Sequence, residues 1–286
     1  MKKKAEVSYI IAHNNREELL EYNLRSLLAQ TVQDFEIIIV DNSVQTQTIK
    51  NLVSRYRKMG LNIKLFFVDP QLCSFSHDKR VFGNLFNPAL QQNVGAKKSE
   101  GKILVLTSPE VVNASTNVEN IIKKFDNDES RFLLGWIHEV RKENMRDIIE
   151  SGYKIDIIKA SPPESGVNNG AHCKKDTWFP RNYFLGSLRR RDFMRVGGID
   201  ESFMGSIGFE DDEFPQRCIN NSIGCFFEGE IAGIHLYHSR DHHMPNGFSP
   251  FRVDSRNARL RDAKRAQLVA NQQHDWGSND YIRGEF

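Results

Sequence analysis

Residues 208–218 read GFEDDEFPQRC, with four carboxylates in succession, Glu210, Asp211, Asp212 and Glu213, behind a glycine and an aromatic residue. Adjacent anions repel, so each raises the pKa of the next. A helix starting there would offset part of that repulsion, because the unpaired amides and the dipole of a first turn favour anions. One or two carboxylates suffice for that purpose. Four suggest that one is kept as a base, its pKa lifted toward the range useful for taking a proton from a hydroxyl. The alternative is an acidic first turn with no chemistry.

Two more clusters carry metal-type ligands. HLYHSRDHH (235–243) puts His235, His238, Asp241, His242 and His243 within nine residues. Imidazole and carboxylate so close at a strand end could hold a divalent cation or touch phosphate. The spacing matches no closed zinc site, and the four cysteines (Cys73, Cys173, Cys218, Cys225) lie elsewhere. TSPE (107–110) follows an apolar run. Paired acids at such a strand end bind a metal chelated by a diphosphate, because hard oxygens from both sides fill its coordination shell. Here Glu110 is the anion and Ser108 stands in place of a first acid.

These residues need a scaffold, and the first third of the chain supplies an alternating one. VSYIIAHNN reads as a buried strand, Leu20, Leu24, Leu27 and Leu28 mark a helix face, and FEIIIVDNS is a second strand. IKLFFVDP and KILVLTSPE are a third and a fourth, the latter reached through the helical stretch NPALQQNVGAKKSEG. Such alternation predicts an α/β fold with a parallel sheet covered on both faces. Ligands then bind beyond the carboxyl ends of the strands, which points to His13, Asn14, Asp41, Asn42, Asp69 and Glu110. From Asn117 to about Glu150 a helix, the strand RFLLGWI and another helix continue the pattern. Residues 159–176, dense in Pro, Gly, Ser and Asn, read as a long loop. IGCFFEG and IAGIHLYH read as two strands, and Val253–Ala270 as a charged helical tail.

With 286 residues, one elaborated domain is expected. A net charge of +2 gives no reason to expect nucleic acid as a partner. Scattered cysteines and an N-terminus without an apolar leader suggest a reduced, cytoplasmic protein. No run approaches the ~18–20 apolar residues that cross a bilayer. Membrane contact, at the inner face, would be peripheral and use basic patches such as Lys2–Lys4 or Arg189–Arg191.

The opening VSYIIAHNNREELLEYNLRSLLAQTVQDFEIIIVDNS resembles family-two glycosyltransferases of the GT-A fold. The resemblance spans roughly residues 5–245. It implies a Rossmann-like, mostly parallel sheet flanked by helices over 1–250, with a nucleotide-binding half to about 115, an acceptor-binding half from 116 and a helical extension over 251–286. Carried over, Ala12, His13, Asn14 and Arg16 border the nucleotide, Asp41 binds the base, and Asn93 joins the nucleotide contacts. Ser108 and Glu110 fall where the family has its metal-binding acids. The stretch FLGSLRRRDFMRVGGIDESFMGSIGFEDDEFPQRC, followed by HSRD at 238–241, is also similar to the carboxyl-terminal half of β-1,4-galactosyltransferases. That likeness implies Asp211 as the inverting base, Glu210 and Asp212 at the acceptor, and His238 with Glu110 on Mn2+ or Mg2+. Trp178 would stack on a sugar or anchor its loop. The implied partners are a UDP-sugar, with galactose or an N-acetylhexosamine preferred, and a glycan or lipid-linked saccharide. A non-catalytic nucleotide-sugar or glycan-binding module is the alternative. A nucleotidyltransferase ranks last, since AHNNREE lacks the glycine-rich loop such enzymes use.

Overall fold

The computed structural model describes residues 5–70, 88–162, 171–173, 184–205, 208–238 and 255–286. Its centre is a parallel block, β1 (Val7–His13), β2 (Phe35–Asp41), β3 (Ile63–Val68) and β4 (Ile103–Thr107), in the order β3-β2-β1-β4. Every residue of β1, β2 and β4 is buried, as continuous apolar runs in a sheet covered on both faces require. Side-chain alternation sorts the two faces. Tyr9, Ile11, Ile37 and Ile39 pack with Leu20, Leu24 and Leu27 of α1 (Glu17–Leu28) and with Ile49 and Val53 of α2 (Gln47–Lys58). Ile10, Ile38 and Val40 face α3 (Ala89–Lys98) through Leu90 and Val94. That helix lies against β1 at Gly95, where a Cβ would sit 2.5 Å from Cγ2 of Ile10.

Beyond α4 (Asn117–Lys124) the sheet becomes mixed. From β4 outward run β8 (Leu185–Arg189), β6 (Arg131–Val140), β9 (Gly224–Leu236) and the short β5 (Val111–Asn113), and β7 (Ala171–Cys173) pairs with β6. Because β8 is antiparallel to both β4 and β6, and β9 is parallel to β6, the carboxyl ends of β1, β2, β4, β6 and β9 share one edge. Helix α6 (Glu210–Asn220) packs beside β9 and turns into it through residues 221–223, so its first turn points toward that edge. Helix α5 (Arg190–Arg195) joins α6 in the second core through Phe193 and Phe214, whose ring centroids lie 5.5 Å apart.

Three segments differ from the sequence expectation. The two strand-like runs after residue 223 form one strand, β9, whose register against β6 shifts between Gly135 and Trp136. Glu230, which separates the two runs, and Glu228 lie at that irregularity, and both pair with Lys124. Strand β6 runs on past Ile137 to Val140, burying His138 and Glu139. Among the described residues of the tail the α-helix is α7 (Ser255–Ala263), and residues Ile282–Glu285 form β10, antiparallel to β3. Too short and polar to read as a strand, this segment takes that form by pairing with the open edge of β3.

Candidate active site

The loops after β1 and β2 are joined by three rungs that extend the strand register. His13 Nδ1 lies 2.8 Å from Asp41 Oδ1, Asn14 donates to Asn42 at 2.7 Å, and the Asn15 amide donates to Ser43 Oγ at 2.8 Å. The Arg16 amide donates to His13 Nε2, which leaves Nδ1 as the proton-bearing nitrogen, directed at Asp41. Asp41 Oδ1 also accepts from the Ser43 amide and hydroxyl. Its Oδ2 is buried with no hydrogen-bond partner among the described residues, an acceptor suited to an imide N–H. Ala12 and His13 are buried, so His13 braces Asp41, whereas Asn14 and Arg16 are partly exposed.

Asn93, expected among the nucleotide contacts, is committed elsewhere. Its amide donates to Ile199 O and Glu201 Oε1, and its Oδ1 accepts from the Ile199 amide, each at 2.8 Å. A fully buried carboxamide with its bonds made inside the protein ties α3 to the 199–201 segment. Trp178 and the Ser239–Asp241, His242 and His243 part of the histidine cluster lie outside the described residues.

Sheet register assembles the second cluster. His235 of β9 sits between Glu139 of β6 and Val111 of β5, next to Glu110. His235 Nδ1 is 3.3 Å from Glu139 Oε1, and its Nε2 is 3.4 Å from Glu110 Oε1. His238 Nε2 lies 3.7 Å from the same Glu110 oxygen, and Arg16 donates to it at 2.9 Å. Burial alone would raise the Glu110 carboxyl, but the two imidazoles and the Arg16 guanidinium outweigh it and hold it well below the usual carboxylate range. Burial by itself would lower His235, yet Glu110 and Glu139 raise it above the ordinary imidazole value.

One ligand atom from each of Glu110, His235 and His238 falls within 4.8 Å of the others. Glu110 Oε2 and Ser108 Oγ are buried with no hydrogen-bond partner among the described residues. Two imidazoles, a carboxylate and orphaned oxygens fit a divalent cation. Glu139, 3.3 Å behind His235, stands where an outer carboxylate would orient that imidazole on a metal. Sequence reading named Glu110 and His238 as the ligand pair and His235 only as one of a histidine cluster that could touch metal or phosphate; Glu139 had no role in it.

The acidic helix divides its four carboxylates among different tasks. Gly208 (φ 75°) and Phe209 (φ 72°) are both left-handed, and this turn swings the chain into α6. Such a conformation at a phenylalanine costs about 1–3 kcal/mol and persists where surrounding contacts enforce it. Glu213 forms a buried two-point pair with Arg217, at 2.7 and 2.8 Å, while Arg217 also donates to Val196 O and Gly198 O. Asp212 pairs with Arg261 at 3.3 Å, and Glu210 is buried. Asp211 is pushed up to about 6, first by burial and then by the Asp212 charge, against the pull of nearby backbone amides. Pro215, four residues on, lacks the amide that would bond the Asp211 carbonyl, which loosens the first turn there.

The Glu213–Arg217 pair is structural, and removing one partner leaves a buried charge alone. Arg217→Met is expected to lower stability by about 3–5 kcal/mol, read from the urea midpoint. A loss below about 1 kcal/mol would contradict the burial described here.

Comparison with known proteins gives a consistent picture. The profile described as Glycosyl transferase family 2 matches residues 8–190. Validoxylamine A glucosyltransferase of Streptomyces hygroscopicus subsp. limoneus is 25% identical over 262 residues, covering 82% of this chain and 52% of that relative. The chain therefore spans about half the length of the curated relatives it matches. Among solved structures, S. aureus TarS 1–349 with UDP superposes with a TM-score of 0.53 at 17% identity, covering 83% of this chain and 62% of TarS. A mannosyltransferase from Pyrobaculum calidifontis with GDP-Man and Mn2+ gives 0.53 at 16%, covering 85% and 60%. GalNAc-T7 with UDP, GalNAc and Mn2+ gives 0.61 at 15%, covering 91% and 48%. These structural likenesses establish the GT-A architecture, and the profile match over well more than half the sequence shows that the chain belongs to glycosyltransferase family 2.

Proposed function

We propose that this protein is an inverting glycosyltransferase that moves a hexose or N-acetylhexosamine from a UDP-sugar to a hydroxyl of a glycan or lipid-linked saccharide. The observation that carries this reading is Asp211: its neighbours Asp212 and Glu213 are tied to arginines, while its own carboxyl is raised to about 6 at the strand-end edge. A base with that pKa is ionised at neutral pH and still basic enough to accept a hydroxyl proton. Asp211 would take the acceptor proton as the oxygen attacks the anomeric carbon and the nucleoside diphosphate departs from the opposite face. Asp41, through its orphaned Oδ2, would accept from the base, and Arg16 beside Glu110 would lie next to the diphosphate. Glu110, His235 and His238 would hold Mn2+ or Mg2+, and such an ion supplies neutralisation of leaving-group charge.

The hexosyl donor is supported by the glucosyltransferase named above, and the UDP carrier by the nucleotide present in two of the fold neighbours. Galactose remains the preferred sugar on the EDD and HSRD similarity alone. Among the described residues no helix is long and apolar enough to cross a membrane. In this reading a cytoplasmic protein meets a lipid-linked acceptor at the inner face by peripheral contact.

UDP release from a panel of UDP-sugars, with and without Mn2+ and with a range of saccharide acceptors, tests the proposal. Release that depends on both acceptor and Asp211 is the expected result. Ser108 in place of an acid is what favours the competing reading, a non-catalytic binding module. That reading predicts no release from any donor and unchanged ligand affinity and biological activity in Asp211→Asn.

A further inference from the structure

The first turn of α6 is held from outside, by α7, a helix that follows it by 34 residues. Asn257 is fully buried, and its amide donates to Phe203 O and Gly208 O, both at 2.9 Å. One side chain thus pins the carbonyl of the first left-handed residue to the preceding segment. A turn of helix later, Arg261 donates to Asp212 Oδ2 at 3.3 Å and sets its guanidinium 4.9 Å from the centre of the Phe209 ring. Arg256 donates to Ser202 O, and Lys264 bonds Asp200 and Ser202 Oγ, which fastens both ends of α7 to the same segment. Residues 208, 209 and 212 are therefore all gripped by α7, and Asp211 lies between them.

We propose that Arg261 is a positioning residue for Asp211, acting through Asp212 and Phe209 to fix the strained turn and to screen the neighbouring anion. Among the described residues, these charged groups lie on the elements that carry and grip Asp211. On its own helix they are Glu210, Asp212 and Glu213, the last neutralised by Arg217. From α7 and the residues after it come Arg261, Asp262, which shares that guanidinium at 2.8 Å, Lys264, which is engaged by Asp200, and Arg265. Arg261 bonds an immediate neighbour of Asp211, at Asp212 Oδ2. Bonded to Asp212, its guanidinium cancels part of the field that the Asp212 carboxylate imposes on Asp211. The stack on Phe209 adds a geometric restraint that a flexible lysine would not reproduce.

The catalytic consequence rests on Asp211 being the base, but the positioning claim is tested without any substrate. Carboxyl-carbon NMR of Asp-labelled protein, with the Asp211 signal assigned by Asp211→Asn, follows the titration directly. In Arg261→Gln the Asp211 midpoint is expected to rise by about half a pH unit or more, and in Arg261→Lys, which keeps the charge, to stay near wild type. In an Asp212→Asn background the Arg261→Gln shift should be markedly smaller, because the ion pair that holds the guanidinium beside this turn is gone while the Phe209 contact remains. Arg261 is about one-third exposed (31%), so its replacement spares the core. An unchanged midpoint in Arg261→Gln, or an equal shift with and without Asp212, overturns the proposal. In turnover assays the acid limb of kcat/KM should move with the midpoint, while Arg261→Lys lowers kcat with that limb in place. A shifted midpoint in a protein that transfers no sugar from any donor would sink the reading of Asp211 as base and leave Arg261's role standing.

Discussion

Asp211→Asn is expected to lower kcat by about 10²–10⁴-fold with little change in UDP affinity, and at the same time to make the folded protein more stable at neutral pH. The first effect follows from a group that acts only as the acceptor proton leaves. The second follows from linkage. The folded carboxyl keeps its proton up to about pH 6, because burial and Asp212 disfavour the anion, whereas the unfolded chain releases it near 3.8. Asp211 therefore contributes stability that is fully present below about pH 4 and lost as the pH rises through 6. At pH 7 the wild type holds an unfavourable anion that asparagine does not carry. Allowing for partial exposure, the gain is on the order of 1–2 kcal/mol, or about 2–4 °C in Tm per kcal/mol. Thermal melts of the two proteins at pH 7 and pH 4 check this, with the difference closing at the lower pH. An asparagine variant that is inactive and also less stable at pH 7 would mean that Asp211 holds the turn together rather than serving as a base.

The parallel core was readable because strands buried on both faces need unbroken apolar runs, and the first four strands have them. The acidic turn was equally visible, since its carboxylates are adjacent in the chain. Division of labour among them was hidden. Arg217 could be guessed from its i,i+4 spacing to Glu213, but Arg261 reaches Asp212 across 49 residues. Glu139 was missed, and His235 was read only as one of a histidine cluster, for a related reason. Their meeting depends on the pairing of β6 with β9, and hydrophobic periodicity within either strand carries no information about register between them. Reading β6 as far as Ile137 also left Glu139 outside the strand. Asn93 shows the opposite error. A polar residue at the nucleotide half of a family pattern was read as a ligand contact, although its carboxamide is satisfied by Ile199 and Glu201.

The pairing of His235 with Glu139 makes a prediction that separates this cation site from one built on two acids. If Glu110, His235 and His238 hold the ion, then two nitrogens and one carboxylate favour Mn2+ or Co2+ over Mg2+, which prefers an all-oxygen shell. His235→Ala should weaken Mn2+ binding by more than about 100-fold, and Glu139→Gln by about 10–100-fold, because the outer carboxylate fixes the imidazole it touches. Glu110→Gln should do the same as His235→Ala and also release Arg16 from its 2.9 Å contact. UDP affinity measured in the presence of Mn2+ should fall with each of them, and without metal wild type, His235→Ala and Glu139→Gln should converge. Calorimetric titration with Mn2+ and Mg2+, with and without UDP, reads all of these quantities. Mn2+ affinity that survives His235→Ala but is lost in His238→Ala would remove His235 from the ligand set and return it to the role of a buried spacer between Glu110 and Glu139.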